Sequence, residues 1–273
     1  MKTSVLSAIS ASISHSKALR AVFAWVNDWI GGFQYGSYTL KDEAALAASF
    51  CDLDPHQQGG VVDAGANRGM YTKEVLHSGA PVSTLLMIEP APALNKELSA
   101  LAEKHPSLMF EPVAVGANPG TMDLHYDSEG SGLGSLYLRD IRHHGIALSH
   151  SVPVPITTLD ELARKYELET TNYVKLDLEG HELEALKGAS QLLQSHKIKA
   201  LTFEFGGCNI DSRTYIKDFW QLLVDGYGYT LYRQLPRRRL LRLDNYSESL
   251  ERFNWQNILA CAPGVEPSWK ILP

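Results

Sequence analysis

Val61-Val62-Asp63-Ala64-Gly65-Ala66-Asn67-Arg68-Gly69 joins a strand-like run to a tight turn of small residues. Its two β-branched residues open a short apolar run, which is typical of a buried strand in a parallel sheet. In the turn, residues without bulky side chains let backbone N–H groups approach a ligand at the positive end of the following helix. The stretch therefore predicts an α/β fold that holds a nucleotide-type cofactor where the strand ends.

A second apolar run, one βα unit further along, supports this prediction. Leu85-Leu86-Met87-Ile88 ends at Glu89, whose carboxylate is placed to accept hydrogen bonds from both hydroxyls of a ribose. The two signals together predict a cofactor site at the edge of the sheet.

The charge of the turn favours one cofactor over another. Gly65, Asn67 and Gly69 depart from the G-x-G-x-x-G spacing of dinucleotide sites, and Asp63 places an acid where a diphosphate would be repelled. A carboxylate suits a cationic group. S-Adenosylmethionine carries an ammonium and a sulfonium and no phosphate, so the pattern favours it as cofactor.

Five segments, VVDAGANRGMYT, MIEPAP, EPVAVG, YVKLDLEGHELEALKGA and FEFG, occur in the order found in FkbM-type S-adenosylmethionine-dependent methyltransferases. The chain resembles that family from about Val61 to Ala262. The resemblance implies a doubly wound, Rossmann-like α/β fold and methylation of a hydroxyl of a sugar, a glycan or glycolipid precursor, or a related natural product. By position it also implies adenine beside the end of the third strand and the methionine portion near Tyr71 and Asn67. The predicted cofactor-binding residues are Asp63, Gly65, Asn67, Gly69, Tyr71, Glu89, Pro90, Val113, Ala114 and Val115.

Composition limits the other classes of function. The 273 residues are 44% hydrophobic, enough to bury one full α/β core. A net charge of −6 argues against nucleic acid as the main partner, because phosphate binding needs a basic surface. Cys51, Cys208 and Cys261 lie far apart, so the sequence predicts neither a disulfide framework nor a zinc site. This use of cysteine favours a cytoplasmic location.

The first 40 residues are predicted to be a helical extension, and residues 41–273 the methyltransferase domain. Serine, histidine, lysine and arginine interrupt the apolar residues of this extension, so no membrane span is expected. Val22, Phe23, Val26, Trp29 and Ile30 recur at helical spacing. They predict an amphipathic helix packed on the domain or on a second copy of the chain, as in a homodimer; docking on a membrane surface is the alternative.

Alternating elements follow the first strand. Strands are predicted at residues 84–88, 108–115, 173–178 and 200–205, with helices between them, as in a parallel sheet with right-handed crossovers. The helix at residues 181–187 should stop at Gly188, and a further helix is predicted at residues 215–225. Residues 120–154 are predicted to form a hairpin excursion with a mobile loop, and residues 229–235, 240–243 and 257–261 a terminal antiparallel portion.

Acids at the strand ends are the candidates for catalysis, because methyl transfer to a hydroxyl needs a group that orients the acceptor and removes its proton. Alternation puts Lys175, Asp177 and Glu179 on one side of their strand, where Lys175 can pair with an acid. Asp177, Glu179 and Glu204 are the predicted catalytic residues. Magnesium held by Asp177 and Glu204 is an alternative that the sequence does not favour.

Neighbouring residues have structural interpretations. A charge near a helix N-terminus is an equal alternative for Glu179 and the preferred one for Glu182. His181 is expected to be solvated.

The acceptor is expected to contact the loop at residues 131–136 and the polar segment after the fifth strand. The predicted substrate-binding residues are Ser131, Ser135, Asn209 and Arg213. Arginines at positions 233, 237, 238, 239 and 242 either attract an anionic glycan or form a solvated hairpin tip. Two other functions stay open: a nicotinamide-dependent oxidoreductase, and a non-catalytic cofactor-binding partner subunit.

Overall fold

The computed structural model of the chain describes residues 39–51, 59–168 and 170–272, together with residues 16–19, 21, 22 and 26. The chain divides into two compact units, Met1–Ser37 and Tyr38–Pro273. Phe23, Trp29 and Ile30 of the predicted amphipathic helix lie outside the described residues, so its packing stays a prediction. No helix in the described part of the chain is long and apolar enough to cross a membrane.

Two sheets carry the larger unit. Their strands are β1 (Gly60–Ala64), β2 (Thr84–Ile88), β3 (Leu108–Glu111), β4 (Ala114–Val115), β5 (Gly120–Tyr126), β6 (His150–Thr157), β7 (Thr171–Leu176), β8 (Ile198–Phe205), β9 (Thr230–Leu235), β10 (Arg239–Leu243), β11 (Gln256–Cys261) and β12 (Lys270–Leu272). The α-helices described in this unit are α1 (Leu40–Cys51), α2 (Met70–His77), α3 (Asn95–Ala102), α4 (Leu159–Lys165), α5 (Glu182–Lys187), α6 (Ser190–Gln194), α7 (Cys208–Ser212) and α8 (Ile216–Trp220). Short 3₁₀ turns occupy Pro92–Leu94, Arg142–His144 and Glu248–Leu250.

The large sheet has the strand order β12-β10-β9-β11-β8-β7-β1-β2-β3. Its β3-β2-β1-β7-β8 part is parallel, whereas β11, β9 and β10 pair antiparallel. The predicted doubly wound α/β fold with an antiparallel C-terminal portion is confirmed. Strand order changes direction between β1 and β7, and ligands of open α/β sheets bind at the carboxyl ends of strands at such a point.

Hydrophobic layers cover both faces of this sheet, because both sides of each central strand are buried. Val62 and Ala64 belong to one layer, and Val61 belongs to the other. All five residues of β1 are buried, which explains why this strand reads as a continuous apolar run interrupted by one acid. That acid, Asp63, is fully buried.

The third strand differs from its prediction. Residues 108–115 form two strands, because β3 pairs with β2 in the large sheet and β4 pairs with β6 in the small sheet β4-β6-β5. Pro112 separates them; a proline has no N–H to donate to a ladder, so the chain leaves one sheet and enters the other there. The predicted hairpin excursion is present as β5 and β6.

Two helix ends also differ from expectation. The helix predicted at residues 215–225 is α-helical only to Trp220 and continues as a π-helix over Gln221–Gly226. Helix α5 ends at Gly188 as predicted, but with φ −75°, so no left-handed conformation requires this glycine. A Cβ at Gly188 would lie 2.0 Å from the carbonyl oxygen of Gly116, and close backbone approach is therefore what requires it.

Candidate active site

A cavity of about 270 Å³ lies at the carboxyl ends of β1, β2 and β7 and is named the main cavity here. The strand ends form its floor, and the connection between β5 and β6 forms a wall. Its lining includes Gly65, Asn67, Ile88, Glu89, Pro90, Ala91, Val113, Ala114, Val115, Tyr126, Ser131, Gly132, Leu136, Asp177, Leu178, Glu179 and His181. The position is the one that the strand order predicts for a ligand.

Gly65 lies in the floor of the main cavity, in the turn after β1. Its φ is +85°, and a Cβ there would lie 1.9 Å from the carbonyl oxygen of Asp177. The Asp177 N–H in turn donates to the carbonyl of Ala64 at 3.0 Å. Only a residue without a side chain allows this approach of the β1 turn to the end of β7.

Glu89 holds the turn in place through charge-assisted hydrogen bonds. Its carboxylate accepts the backbone N–H of Asn67 at 2.8 Å and that of Ala91 at 2.9 Å. Burial raises the pKa of Glu89, and both hydrogen bonds oppose that rise. A carboxylate offers about four lone-pair sites, so two remain for a ligand in the cavity.

The connection between β5 and β6, residues 127–149, is fastened to the floor at several points. The Asn67 side-chain amide donates to the Ser131 carbonyl at 3.2 Å, and the Ser135 hydroxyl donates to the Glu179 carbonyl at 2.8 Å. Arg139 forms an ion pair with Glu179 and lies 3.7 Å from the carboxylate of Asp211. Through these contacts the connection forms a wall of the main cavity.

Glu179 and His181 face the main cavity from the turn after β7. Glu179 has φ +50°, a left-handed conformation that is uncommon outside glycine. Burial raises its pKa to about 7, and Arg139 opposes that shift. His181 was expected to be solvated, but it is only 5% exposed and its Nδ1 lies 3.2 Å from the Tyr137 hydroxyl. Burial lowers the pKa of His181 to about 4, so the ring is neutral near pH 7.

Glu182 supports the same turn from below. It is fully buried, and its carboxylate accepts the N–H groups of Leu178 and Gly180 at 2.8 and 3.2 Å. Burial raises the pKa of Glu182 to about 7. These contacts agree with the preference for a structural role at the start of α5.

A smaller polar cavity of about 40 Å³ lies beside the main cavity. Its lining comprises Glu43, Tyr71, Tyr173, Lys175, Leu176, Asp177, Thr202, Glu204, Gln234, Trp255 and Asn257. Asp177 lines both cavities. Lys175 donates to the Asp177 carboxylate at 2.8 Å, and its ammonium lies 5.2 Å from the centre of the Tyr71 ring. Two further acids line this cavity, and burial raises the pKa of both: that of Glu43, and that of Glu204 well above its usual range.

Most of the predicted cofactor-binding residues line the main cavity, but three do not. Asp63 is buried below the floor, where its carboxylate accepts the Thr72 hydroxyl at 2.6 Å and lies in register with Lys175. Gly69 is the N-cap of α2 with φ +67°. Tyr71 faces the polar cavity. The anionic residue that the main cavity presents at its β1–β7 edge is therefore Asp177 instead of Asp63.

The predicted substrate-binding residues separate. Ser131 lines the main cavity, and Ser135 is buried in the wall. Asn209 is fully buried; its side chain accepts the Gly206 N–H at 2.8 Å and donates to the Thr214 hydroxyl at 2.8 Å, so it supports its own turn. Arg213 is exposed at the end of α7 with φ +56°.

The arginine-rich hairpin is only partly a solvated tip. Arg233 is 5% exposed and donates to Gln256 at 2.8 Å, whereas Arg238 and Arg242 pair with Asp42 and Asp244 near the surface. Among the residues that the structure describes, no three His, Cys, Asp or Glu side chains come together as a metal site. Asp177 and Glu204 both line the polar cavity, where the ammonium of Lys175 disfavours a second cation beside Asp177.

Arg139 is the main functional candidate that the sequence did not indicate. Arg139 lies 40 positions before Glu179 in the sequence, and the segment around it has neither a regular hydrophobic period nor a recognisable motif. The contact depends on how the β5–β6 connection folds back over the sheet, and no local signal predicts that.

Comparison with known proteins gives consistent matches. The sequence model of a family described as "Methyltransferase FkbM domain" matches residues 63–231. "Methyltransferase 1" of Beauveria bassiana is 30% identical over 143 residues, which cover 47% of this chain and 57% of that protein. "Hexuronic acid methyltransferase AglP" of Haloferax volcanii is 26% identical over 113 residues, which cover 41% of this chain and 44% of that protein. The matches thus span about half the length of each relative.

A solved structure is similar at lower identity. Methyltransferase FkbM from Methylobacillus flagellatus aligns with 74% of this chain and 43% of its own, at 14% identity and a TM-score of 0.47.

Proposed function

The chain belongs to the FkbM methyltransferase family, and from this premise we propose that it transfers a methyl group from S-adenosylmethionine to a hydroxyl oxygen of a sugar or a related small molecule. One observation carries the proposal: the main cavity opens at the β1–β7 switch point and combines Glu89 with the carboxylate of Asp177. The family match favours this function over a nicotinamide-dependent oxidoreductase.

The residues of the main cavity fit S-adenosylmethionine. The two lone-pair sites that Glu89 keeps can accept hydrogen bonds from ribose hydroxyls. Val113, Ala114 and Val115 offer an apolar edge for adenine. The side chain of Asp177 is 37% exposed and supplies negative charge for the ammonium and sulfonium groups.

Bound S-adenosylmethionine would supply a methyl group that its positively charged sulfur already activates. The protein then has to align the acceptor hydroxyl in line with that methyl group and take up its proton. We assign both tasks to Asp177, because it lines the main cavity and the polar cavity. Lys175 is a positioning residue that fixes the Asp177 carboxylate.

Glu179 and Glu204 are assigned secondary roles. A general base works best when its pKa lies near the working pH, and the pKa of Glu179 near 7 makes it the second candidate for the proton. Burial raises the pKa of Glu204 well above its usual range, which favours the neutral form more than in an exposed carboxyl and makes Glu204 a candidate hydrogen-bond donor.

A sugar acceptor is the preferred substrate class. The relative from Haloferax volcanii is named as a hexuronic acid methyltransferase, which supports a carbohydrate without fixing which one.

None of the three cysteines, all within the described residues, forms a disulfide, which supports a reducing compartment such as the cytoplasm.

Titration calorimetry with S-adenosylmethionine, S-adenosylhomocysteine and NADH tests the cofactor. We expect the first two ligands to bind and NADH not to bind. Mass spectrometry of methyl glycosides after incubation with labelled S-adenosylmethionine then tests turnover. NADH binding in place of S-adenosylmethionine would support the oxidoreductase. Cofactor binding without methylation of any glycoside would support the non-catalytic partner subunit, and either result would overturn the proposal.

A further inference from the structure

The polar cavity contains a buried hydroxyl that no group of the described chain satisfies. Tyr71 is 4% exposed, lines this cavity, and its hydroxyl has no hydrogen-bond partner. A buried polar group without a partner is destabilising, by roughly 1–3 kcal/mol, so such groups are generally paired in folded proteins. The Tyr71 hydroxyl therefore marks a place where another molecule's polar group completes the site.

The size of the cavity limits what can enter. A volume of about 40 Å³ is enough for one compact polar group. At about 10–15 Å³ for each water molecule, it would otherwise hold about three or four waters. A whole sugar ring does not fit, whereas a single hydroxyl or hydroxymethyl substituent does.

The charges around the cavity select against an anion. Lys175 is the cation among the residues that line it, and Asp177 already binds its ammonium at 2.8 Å. Glu43 and Glu204 line the same space and supply no positive charge in either protonation state. An entering carboxylate or phosphate would have to compete with Asp177 for the ammonium of Lys175 and would lose its hydration. An uncharged hydroxyl, in contrast, can both donate to a carboxylate and accept from the Tyr71 hydroxyl.

We propose that the polar cavity is the acceptor subsite and that it binds a compact, uncharged hydroxyl or hydroxymethyl group of the acceptor, held by the Tyr71 hydroxyl. This inference rests on the proposed function. Asp177 lines both the subsite and the main cavity, so a hydroxyl bound in the subsite lies beside the residue to which we assign its proton. The site selects neutral sugars over acidic ones, in contrast to the relative whose name specifies a hexuronic acid.

Saturation-transfer NMR on the full chain, with S-adenosylhomocysteine bound, provides the test. The two probes are methyl β-D-glucopyranoside and the methyl β-glycoside of D-glucuronic acid, which differ only in a hydroxymethyl group against a carboxylate. We expect the neutral glycoside to bind at least about tenfold more tightly, because the buried carboxylate would compete with Asp177 for the ammonium of Lys175. Equal binding, tighter binding of the glucuronide, or binding of neither probe would overturn the inference.

Tyr71→Phe tests the assigned contact. It should weaken binding of the neutral glycoside roughly three- to tenfold, as expected for one lost hydrogen bond, and leave the affinity for S-adenosylhomocysteine unchanged. The matched control is Tyr166→Phe, because neither Tyr166 nor its partner lines either cavity. This variant removes a hydroxyl that donates to Glu111 at 2.6 Å. It should leave glycoside binding unchanged.

The variants also separate the two proposals. Because Tyr71→Phe removes an unpaired hydroxyl, its melting temperature should not fall, and weaker glycoside binding cannot then be attributed to unfolding. An unchanged glycoside affinity in Tyr71→Phe would mean that the cavity holds only water, and would overturn this inference alone. Failure of the wild-type chain to bind S-adenosylhomocysteine would instead overturn the proposed function.

Discussion

The two cavities that share Asp177 differ in how completely the protein satisfies their polar groups. In the main cavity, Glu89 is already bonded to the N–H groups of Asn67 and Ala91. In the polar cavity, the Tyr71 hydroxyl has no hydrogen-bond partner among the residues that the structure describes. The first cavity is preorganised by the chain itself, whereas the second becomes satisfied only when it is occupied. A preorganised site suits a cofactor that every turnover needs, and an incomplete site suits an exchangeable acceptor.

Replacing Asp177, which lines both cavities, should have the largest effect. Asp177→Asn removes the proton acceptor and leaves Lys175 without its ion-pair partner, so turnover of a methylated glycoside should fall by about 10²–10⁴. Labelled methyl transfer, with cofactor affinity measured in parallel, checks this. The control Asp244→Asn disrupts a surface ion pair with Arg242 and should have no effect. Turnover within about threefold of wild type would show that the two cavities do not meet functionally at Asp177.

Disturbing the floor of the main cavity should have the next largest effect. Gly65→Ala places a Cβ 1.9 Å from a backbone oxygen at φ +85°, so the turn must move. We expect the free energy of unfolding to fall by about 3 kcal/mol or more. Gly79→Ala is the control, because its φ is +74° but its Cβ meets nothing within 4 Å. It should cost only about 1 kcal/mol, by chemical denaturation. Equal losses in both variants would indicate that backbone strain, and not the close approach, requires Gly65.

A smaller effect is expected where the main cavity is preorganised. Glu89→Gln replaces a charged acceptor by an amide, which weakens the bonds to Asn67 and Ala91 and to a ribose. Cofactor affinity should fall about tenfold to a hundredfold. Titration calorimetry measures this, and the exposed Glu97→Gln, which loses only a surface pair with Arg68, is the control. An unaltered dissociation constant for Glu89→Gln would remove Glu89 from the cofactor site.

The smallest effect concerns the pH dependence of stability that arises from Glu182, which supports the turn after β7. Burial raises the pKa of Glu182 from 4.5 to about 7 in the folded chain. Between these values the folded chain keeps a proton that the unfolded chain has lost, so this contribution to stability is present at low pH and is lost as pH rises through about 7. Glu182→Gln should therefore lose less stability than wild type between about pH 5 and about pH 8.

Denaturation curves at the two pH values measure this difference. Glu184→Gln in the same helix is the control, because Glu184 is partly exposed and pairs with Lys187 at 2.6 Å. A pH dependence in Glu182→Gln identical to that of wild type would exclude Glu182 as a source of it.

The sequence predicted the parallel core well because its strands are buried on both faces. Continuous apolar runs at β1 and β2 leave few other structures open, and the small residues between Ala64 and Gly69 indicate where the ligand lies. The same local reasoning joined β3 and β4 into one strand. Only the presence of a second sheet, which is a long-range feature, gives β4 its separate partner.

The sequence indicated which acidic residues lie near the site, but not which way their side chains point. Asp63 and Lys175 lie opposite each other across the β1–β7 pair, so the pleat turns both side chains toward the same face of the sheet. Register between two distant strands cannot be derived from either strand alone. His181 looked like a solvated residue for a similar reason, because the Tyr137 that covers it comes from the β5–β6 connection.

The contact between Gly116 and Gly188 bears on how this enzyme fold can be recombined. A Cβ at Gly188 would lie 2.0 Å from the Gly116 carbonyl, so the small sheet and the end of α5 are fitted to each other at backbone distance. A chimera that imports residues 114–157 from another member of the family should carry its own residue 188 with the insert. Segments exchanged without that partner would be mismatched where the chain after β4 meets the end of α5.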